Sequence, residues 1–151
     1  MSTYRAAVIG LGRMGSTFDD EMKQGGSIFL PYCHAPSYRE SPQTELVAGV
    51  DPHDEQRHIF GERWGLNESQ LYADYREMLA SAKPDIVSVC TTARHRAQIV
   101  GDCARAGVRA IWAEKPIACL NVRFRSVTRT IAKSISEETV KSTGFRLIKP
   151  P

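Results

Sequence analysis

Two groups of residues in this 151-residue chain have the types and spacing for chemistry. The first is Gly10-Leu11-Gly12-Arg13-Met14-Gly15, which follows the apolar run Ala6-Ala7-Val8-Ile9. A glycine turn between a buried strand and a helix brings backbone amides and a helix N-terminus up to a phosphate. Gly10 permits the tight turn, Gly12 lets the backbone approach a pyrophosphate, and Gly15 lets the helix pack close to the strand. Leu11, Arg13 and Met14 supply the intervening amides of that cradle. The second group is Glu114-Lys115-Pro116, which follows Ala110-Ile111-Trp112-Ala113. An ammonium at Lys115 can polarise a substrate hydroxyl or carbonyl and stabilise the alkoxide that forms during hydride transfer. In a partly buried site it can also relay a proton. Alone, a Glu-Lys-Pro tripeptide is an ordinary surface turn; at the same sheet edge as the glycine motif it becomes a catalytic candidate.

Further candidates fall between these two. Asp51 follows Leu46-Val47-Ala48-Gly49-Val50, where an acid accepts hydrogen bonds from an adenosine ribose. It lies further from Gly15 than the usual ~20 residues, and an insertion over Lys23–Gln43 accounts for the excess. A carboxylate at this place repels a 2′-phosphate and so favours NAD over NADP, a preference that Arg57 could soften. Asp51 could also cap the helix that follows Pro52. Thr91 and Thr92 end the next buried run, where they could hydrogen-bond the nicotinamide half of a cofactor or cap a helix. His95 lies on the same connection, and a solvated surface histidine is its plainer reading beside a substrate contact. Glu114 joins the cofactor-binding candidates through its place at the same edge.

The elements that must carry these residues alternate. Strand-like runs are 5–9, 45–50, 71–73, 85–90 and 109–112, short and apolar as in a parallel sheet. Helical stretches are 14–22, 53–64, 75–82 and 94–106, with Gly65 and Gly107 at C-cap positions and Asp74 at an N-cap. Strands alternating with helices predict an α/β, Rossmann-type, doubly wound parallel sheet whose strand C-termini share one edge, where ligands bind. Two segments break the pattern. Lys23–Gln43 is apolar and proline-punctuated, and reads as a loop, either a lid on the substrate side or a surface insertion. After Cys119 the composition turns basic, with Phe124, Val127, Ile131 and Ile135 at helical spacing.

Composition bounds the function classes. An apolar fraction of 42% and a charged fraction of 25% are those of a soluble globular domain. No apolar run nears the ~20 residues of a membrane span and no signal peptide precedes the first strand, so a cytoplasmic location is expected. Cys33, Cys90, Cys103 and Cys119 show no metal-binding spacing; reduced thiols and no metal site are expected. Residues 121–151 hold seven Lys/Arg against two Glu, a net +5, which leaves −2 for the rest of a chain whose total is +3. The basic character therefore belongs to the tail, which lacks stacking aromatics beyond Phe124 and Phe145, and no nucleic-acid partner is expected.

The ordered set Ile9–Gly15, Glu45–Pro52, Tyr72–Tyr75, Pro84–Thr91, Ala106-Gly107 and Ala113–Ala118 resembles the Gfo/Idh/MocA family of NAD(P)-dependent oxidoreductases. The resemblance covers residues 4 to about 118. It implies a Rossmann domain with a catalytic lysine at Lys115, an NAD(P) cofactor, and a sugar, inositol or related polyol oxidised at a secondary alcohol. It also implies a following α/β domain that supplies much of the substrate pocket and the oligomer contacts. Two departures stand out. The family often has Thr-Pro after the fourth strand with a His a few residues on, and here those positions read Thr92 and Arg96. Residues 120–151 resemble nothing in the family.

These readings divide the chain into a dinucleotide-binding domain at 1–119 and a basic tail at 120–151, with the second domain absent and the tail either out-of-frame sequence of a truncated product or a short helix packed on the sheet. A dehydrogenase lineage is expected, with this polypeptide by itself binding NAD weakly and turning over little. The alternative is a non-catalytic NAD(P)-binding module or sensor. An S-adenosylmethionine methyltransferase also uses a glycine turn and an acid, but Glu114-Lys115-Pro116 argues against it.

Overall fold

A computed structural model describes residues 3–26 and 30–116. The expectations for residues 120–151, including the short helix and the out-of-frame reading, lie outside the described residues. Five strands form one parallel sheet: β1 (Tyr4–Ile9), β2 (Thr44–Val50), β3 (Leu71–Tyr72), β4 (Ile86–Val89) and β5 (Ala110–Ala113). Their order is β3-β2-β1-β4-β5. The chain runs outward from β1 through β2 to β3, then crosses back to place β4 on the other side of β1. The C-terminal ends of β1 and β4 therefore flank the point where the winding reverses, the crevice in which open α/β sheets bind ligands.

Both faces of the sheet are buried, which explains the near-continuous apolar runs. On β1, Ala6 and Val8 point to one face and Ala7 and Ile9 to the other, all almost fully buried. Ala7 and Ile9 pack with Val87 and Val89 of β4 against Met78 and Ala82 of α4 (Tyr75–Ala82) and Ile99, Val100 and Cys103 of α5 (Ala93–Arg105). Ala6, Val8 and Leu46 pack against Phe60 of α3 (Asp54–Trp64) and against Ala35 and Tyr38 of α2 (His34–Glu40). Helix ends follow the capping chemistry. Gly65 stops α3 in the left-handed conformation at φ +66°, and Asp74 accepts the Arg76 amide at 2.7 Å to start α4.

The connection from β1 to β2 differs from expectation. The predicted helix over 14–22 is a wide π-type turn, Arg13–Thr17, followed by a short α1 (Phe18–Gln24). The element packed on the sheet between β1 and β2 is α2, which lies inside the segment read as a loop. Its Pro36 sits in the first helical turn, where the missing N–H has no intrahelical partner to lose. Residues 18–26 thus leave the crossover, and residues 30–33 return to it. Asp19, almost fully buried, clamps that return: the carboxylate accepts the amides of Tyr32 at 2.8 Å and Cys33 at 3.0 Å. Asp20 holds α1 to α3 through a two-pronged pair with Arg63 at 2.6 and 2.7 Å.

Candidate functional site

The glycine turn lies at the C-terminal end of β1, against the end of β4. Gly10 has φ +90°, and a Cβ on it would come within 2.9 Å of the Cys90–Thr91 peptide, so only glycine lets β1 and β4 end side by side. A Cβ at Gly15 would stand 2.2 Å from the Gly10 carbonyl oxygen; the turn closes on its own start. Gly12 is different, since a Cβ there meets nothing within 4 Å among the described residues. The open space beside the Gly12 backbone is what a pyrophosphate needs, and it lies at the switch point of the sheet.

Asp51, at the end of β2, is buried, with one carboxylate oxygen accepting the Leu11 amide at 3.1 Å. The other accepts both the His53 amide at 3.1 Å and the His53 ring Nδ1 at 2.9 Å. The N-cap of α3 is His53 rather than Asp51, so the acid braces the connection without capping the helix. Arg57 donates to the Asp51 carbonyl at 2.7 Å and pairs with Asp54, which occupies its guanidinium. His53 is a residue that sequence reasoning passed over, because its contact with Asp51 depends on the side-chain path.

At the end of β4, Thr91 Oγ1 is buried and has no hydrogen-bond partner among the described residues. Thr92 is the N-cap residue of α5, but its side chain makes no capping bond. His95 is exposed on α5. The next residue, Arg96, is buried and points inward, donating to the carbonyls of Thr91 and, at 2.8 Å, Pro116. Arg96 thus ties the end of β4 to the Glu114-Lys115-Pro116 turn, a role hidden in sequence because a helical arginine ordinarily faces water.

Glu114 continues the ladder past β5, its amide donating to the Val89 carbonyl at 3.0 Å. Its carboxylate accepts from Nε2 of His34 at 3.0 Å. Lys115 is exposed, and no hydrogen bond or ion pair engages its ammonium among the described residues. The glycine turn, Thr91 and the lysine turn therefore meet at one edge, with Asp51 joined to them through Leu11. Gly12's open side and the orphaned hydroxyl of Thr91 fit a dinucleotide lying across the ends of β1 and β4.

The thiols stand apart from this chemistry. Burial pushes Cys33 up to about 11 and Cys90 and Cys103 up to about 12, and all three are free. Cys119 lies outside the described residues. Among the described residues no group of His, Cys, Asp and Glu could hold a metal ion, and no helix is long and apolar enough to cross a membrane.

Residues 4–136 match the family model described as an oxidoreductase family with an NAD-binding Rossmann fold. Among curated proteins, the chain is 26% identical over 141 residues to myo-inositol 2-dehydrogenase of Thermotoga maritima, covering 93% of this chain and 36% of that protein. Scyllo-inositol dehydrogenase from Lactobacillus casei, solved with NAD(H) and scyllo-inositol, superposes with a TM-score of 0.68 at 19% identity, over 88% of this chain and 34% of that one. An oxidoreductase from Agrobacterium radiobacter, solved with NAD+, L-tartaric acid and magnesium, gives a TM-score of 0.66 at 20% identity, over 88% and 33%. The chain spans about a third of the length of these relatives. At such identities the solved structures speak for the fold.

Proposed function

This chain belongs to the Gfo/Idh/MocA oxidoreductase family, with its NAD-binding Rossmann fold, and from that premise we propose that its residues hold NAD in a dehydrogenase acting on a secondary alcohol of a sugar or polyol. The observation that carries the reading is the meeting, at one sheet edge, of the open glycine turn and a lysine whose neighbours are anchored while its ammonium is exposed. In this reading Gly10, Leu11, Gly12, Arg13, Met14 and Gly15 take the pyrophosphate. Asp51 accepts the adenosine ribose hydroxyls, for which His53 gives way. Thr91, Thr92 and Glu114 lie on the nicotinamide side, and His95 offers an imidazole to the substrate.

Bound NAD supplies the hydride acceptor. Lys115 acts on the alcohol: its exposed ammonium stabilises the negative charge that develops on the reacting oxygen as the hydroxyl proton passes to solvent water. NAD is preferred over NADP because the Asp51 carboxylate opposes a 2′-phosphate, while Arg57, already bound to Asp51 and Asp54, is not free to offset it. A polyol of the inositol type is the substrate class, since the Thermotoga maritima relative is a myo-inositol 2-dehydrogenase.

Calorimetric titration tests the cofactor half. NAD should bind, with NADP weaker by about tenfold or more, and a chain that binds neither sinks the proposal. NADH formation from myo-inositol tests the catalytic half. Turnover by this chain alone should be slow, and Lys115→Ala should lower it by about 10²-fold or more while NAD affinity stays within about threefold. A variant that loses neither would make this a dinucleotide-binding module without catalysis.

A further inference from the structure

His34 belongs to neither sequence motif, yet it touches one of them. It opens α2, is 1% exposed, and packs against Trp112 of β5 with the rings tilted and their centroids 4.3 Å apart. We propose that His34 is a positioning residue for the Glu114-Lys115-Pro116 turn, held as the neutral Nε2–H tautomer by Ser88 and Tyr38. The inference rests on the reading of Lys115 as the group beside the reacting oxygen.

The hydrogen bonds run in one direction. Glu114 presents a carboxylate, which only accepts, so the His34 Nε2 atom 3.0 Å away carries the hydrogen. The other ring nitrogen, Nδ1, lies 2.8 Å from the Ser88 hydroxyl, and that hydroxyl lies 2.7 Å from the Tyr38 phenol. With Nδ1 as an acceptor, Ser88 donates to His34 and Tyr38 donates to Ser88. His34, Ser88 and the carboxylate oxygen of Glu114 that faces the ring are then all paired by a single arrangement of protons. Tyr38 is the far end and is buried, its phenol pushed up to about 12 chiefly by that burial. A proton entering from Glu114 would have no exit to water there, so the chain orients Glu114 and does not conduct.

The consequence falls on Lys115. Its turn is anchored by the Glu114 amide on Val89, the Glu114 carboxylate on His34 and the Pro116 carbonyl on Arg96. Two of these ties reach helices on opposite faces of the sheet, α2 and α5. Lys115 is thereby fixed in its backbone while its side chain stays free. Without His34, the carboxylate next door would lose its partner and be free to fold onto the ammonium.

The test needs neither cofactor nor turnover. On the full chain labelled with 15N-histidine, the His34 ring should show a protonated Nε2 and an unprotonated Nδ1. His34→Leu should speed hydrogen exchange at the Glu114 amide by about tenfold or more, with the Gly10 amide, bonded to Val50, unchanged as reference. His34→Gln, whose amide can replace the Nε2 donor, should restore Glu114 to within about threefold. Should His34→Leu not fold, Ser88→Ala removes the tautomer's support and should give the same selective acceleration. A ring protonated at Nδ1, or exchange at Glu114 that stays unchanged or rises in step with Gly10, overturns the inference. Because these readouts are taken without NAD, their failure is distinct from a failure of NAD binding or hydride transfer.

Discussion

The Asp51 carboxylate accepts the Leu11 amide at 3.1 Å, joining the end of β2 to the glycine turn at the end of β1. The acid assigned to the ribose is thus also a brace of the phosphate cradle, and two substitutions separate these roles. Asp51→Ala leaves a buried amide unpaired and should cost about 1.5–3 kcal/mol of stability, along with NAD affinity. Asp51→Asn keeps an acceptor for Leu11 but loses the charge. It should fold within about 1 kcal/mol of the parent and narrow the preference for NAD over NADP. Thermal denaturation with calorimetric titration of both dinucleotides reads the two effects; an Asn variant as unstable as the Ala variant would contradict the assignment.

Gly12 and Gly15 are three residues apart and should respond oppositely to one added methyl. At Gly15 the Cβ would meet the Gly10 carbonyl oxygen at 2.2 Å, and backbone cannot swing aside. Gly15→Ala should therefore lose about 3 kcal/mol or more, a range reached by strain at a closed backbone contact. Gly12→Ala meets nothing within 4 Å among the described residues and should fold normally, yet weaken NAD by about tenfold or more because the methyl fills the space for the pyrophosphate. Chemical denaturation and NAD titration on the pair decide it. A Gly12→Ala protein that binds NAD normally would move the cofactor away from the turn.

The strands were legible because both faces of this sheet are buried: Val8, Val87 and Val89 interrupt no alternation that might have hidden them. Caps were equally plain, since Gly65 and Asp74 do locally what their residue types do best. The excursion after Gly15 was not. Its prolines read as breakers, and only the packing of Ala35 and Tyr38 on the sheet shows that Pro36 falls in a first helical turn. Gly10 to Gly15, Asp51, Thr91 and Lys115 were visible as types at a spacing. His34 and Arg96 were invisible because their roles are contacts across 80 and 20 residues of chain, which no local pattern encodes.

Alkaline pH should expose the buried thiols. Folding raises Cys103 from 9.0 to about 12, chiefly through desolvation. Below pH 9 the thiol is protonated in both states and contributes nothing to the pH slope. Above it, the unfolded thiol releases a proton that the folded one keeps, so stability falls by about 1.4 kcal/mol per pH unit until the folded thiol itself ionises near pH 12. Cys103→Ala should therefore be less stable at pH 8 through lost packing, and the gap to the parent should close as pH rises past 9. Urea denaturation at pH 8, 9 and 10 follows the gap; a constant difference would mean the thiol ionises equally in both states.

Asp19 offers the sharpest test of the excursion between the glycine turn and α2. Its carboxylate, 4% exposed, takes the amides of Tyr32 and Cys33 through one oxygen, while the Asp19 amide donates to Cys33 Sγ at 3.3 Å. The Cys33 thiol in turn donates to the Arg13 carbonyl at 3.2 Å, so the same clamp reaches the cradle. Asp19→Ala leaves two amides without an acceptor and should cost about 2–4 kcal/mol. Asp19→Asn can place its one carbonyl oxygen where the carboxylate oxygen stands, and should cost about 1 kcal/mol. If the clamp supports the cradle, NAD should weaken in the Ala variant by more than in the Asn variant, even at temperatures where both are fully folded. Equal NAD affinity in the two folded variants would confine Asp19 to closing the excursion and leave the glycine turn to Asp51 and its own backbone.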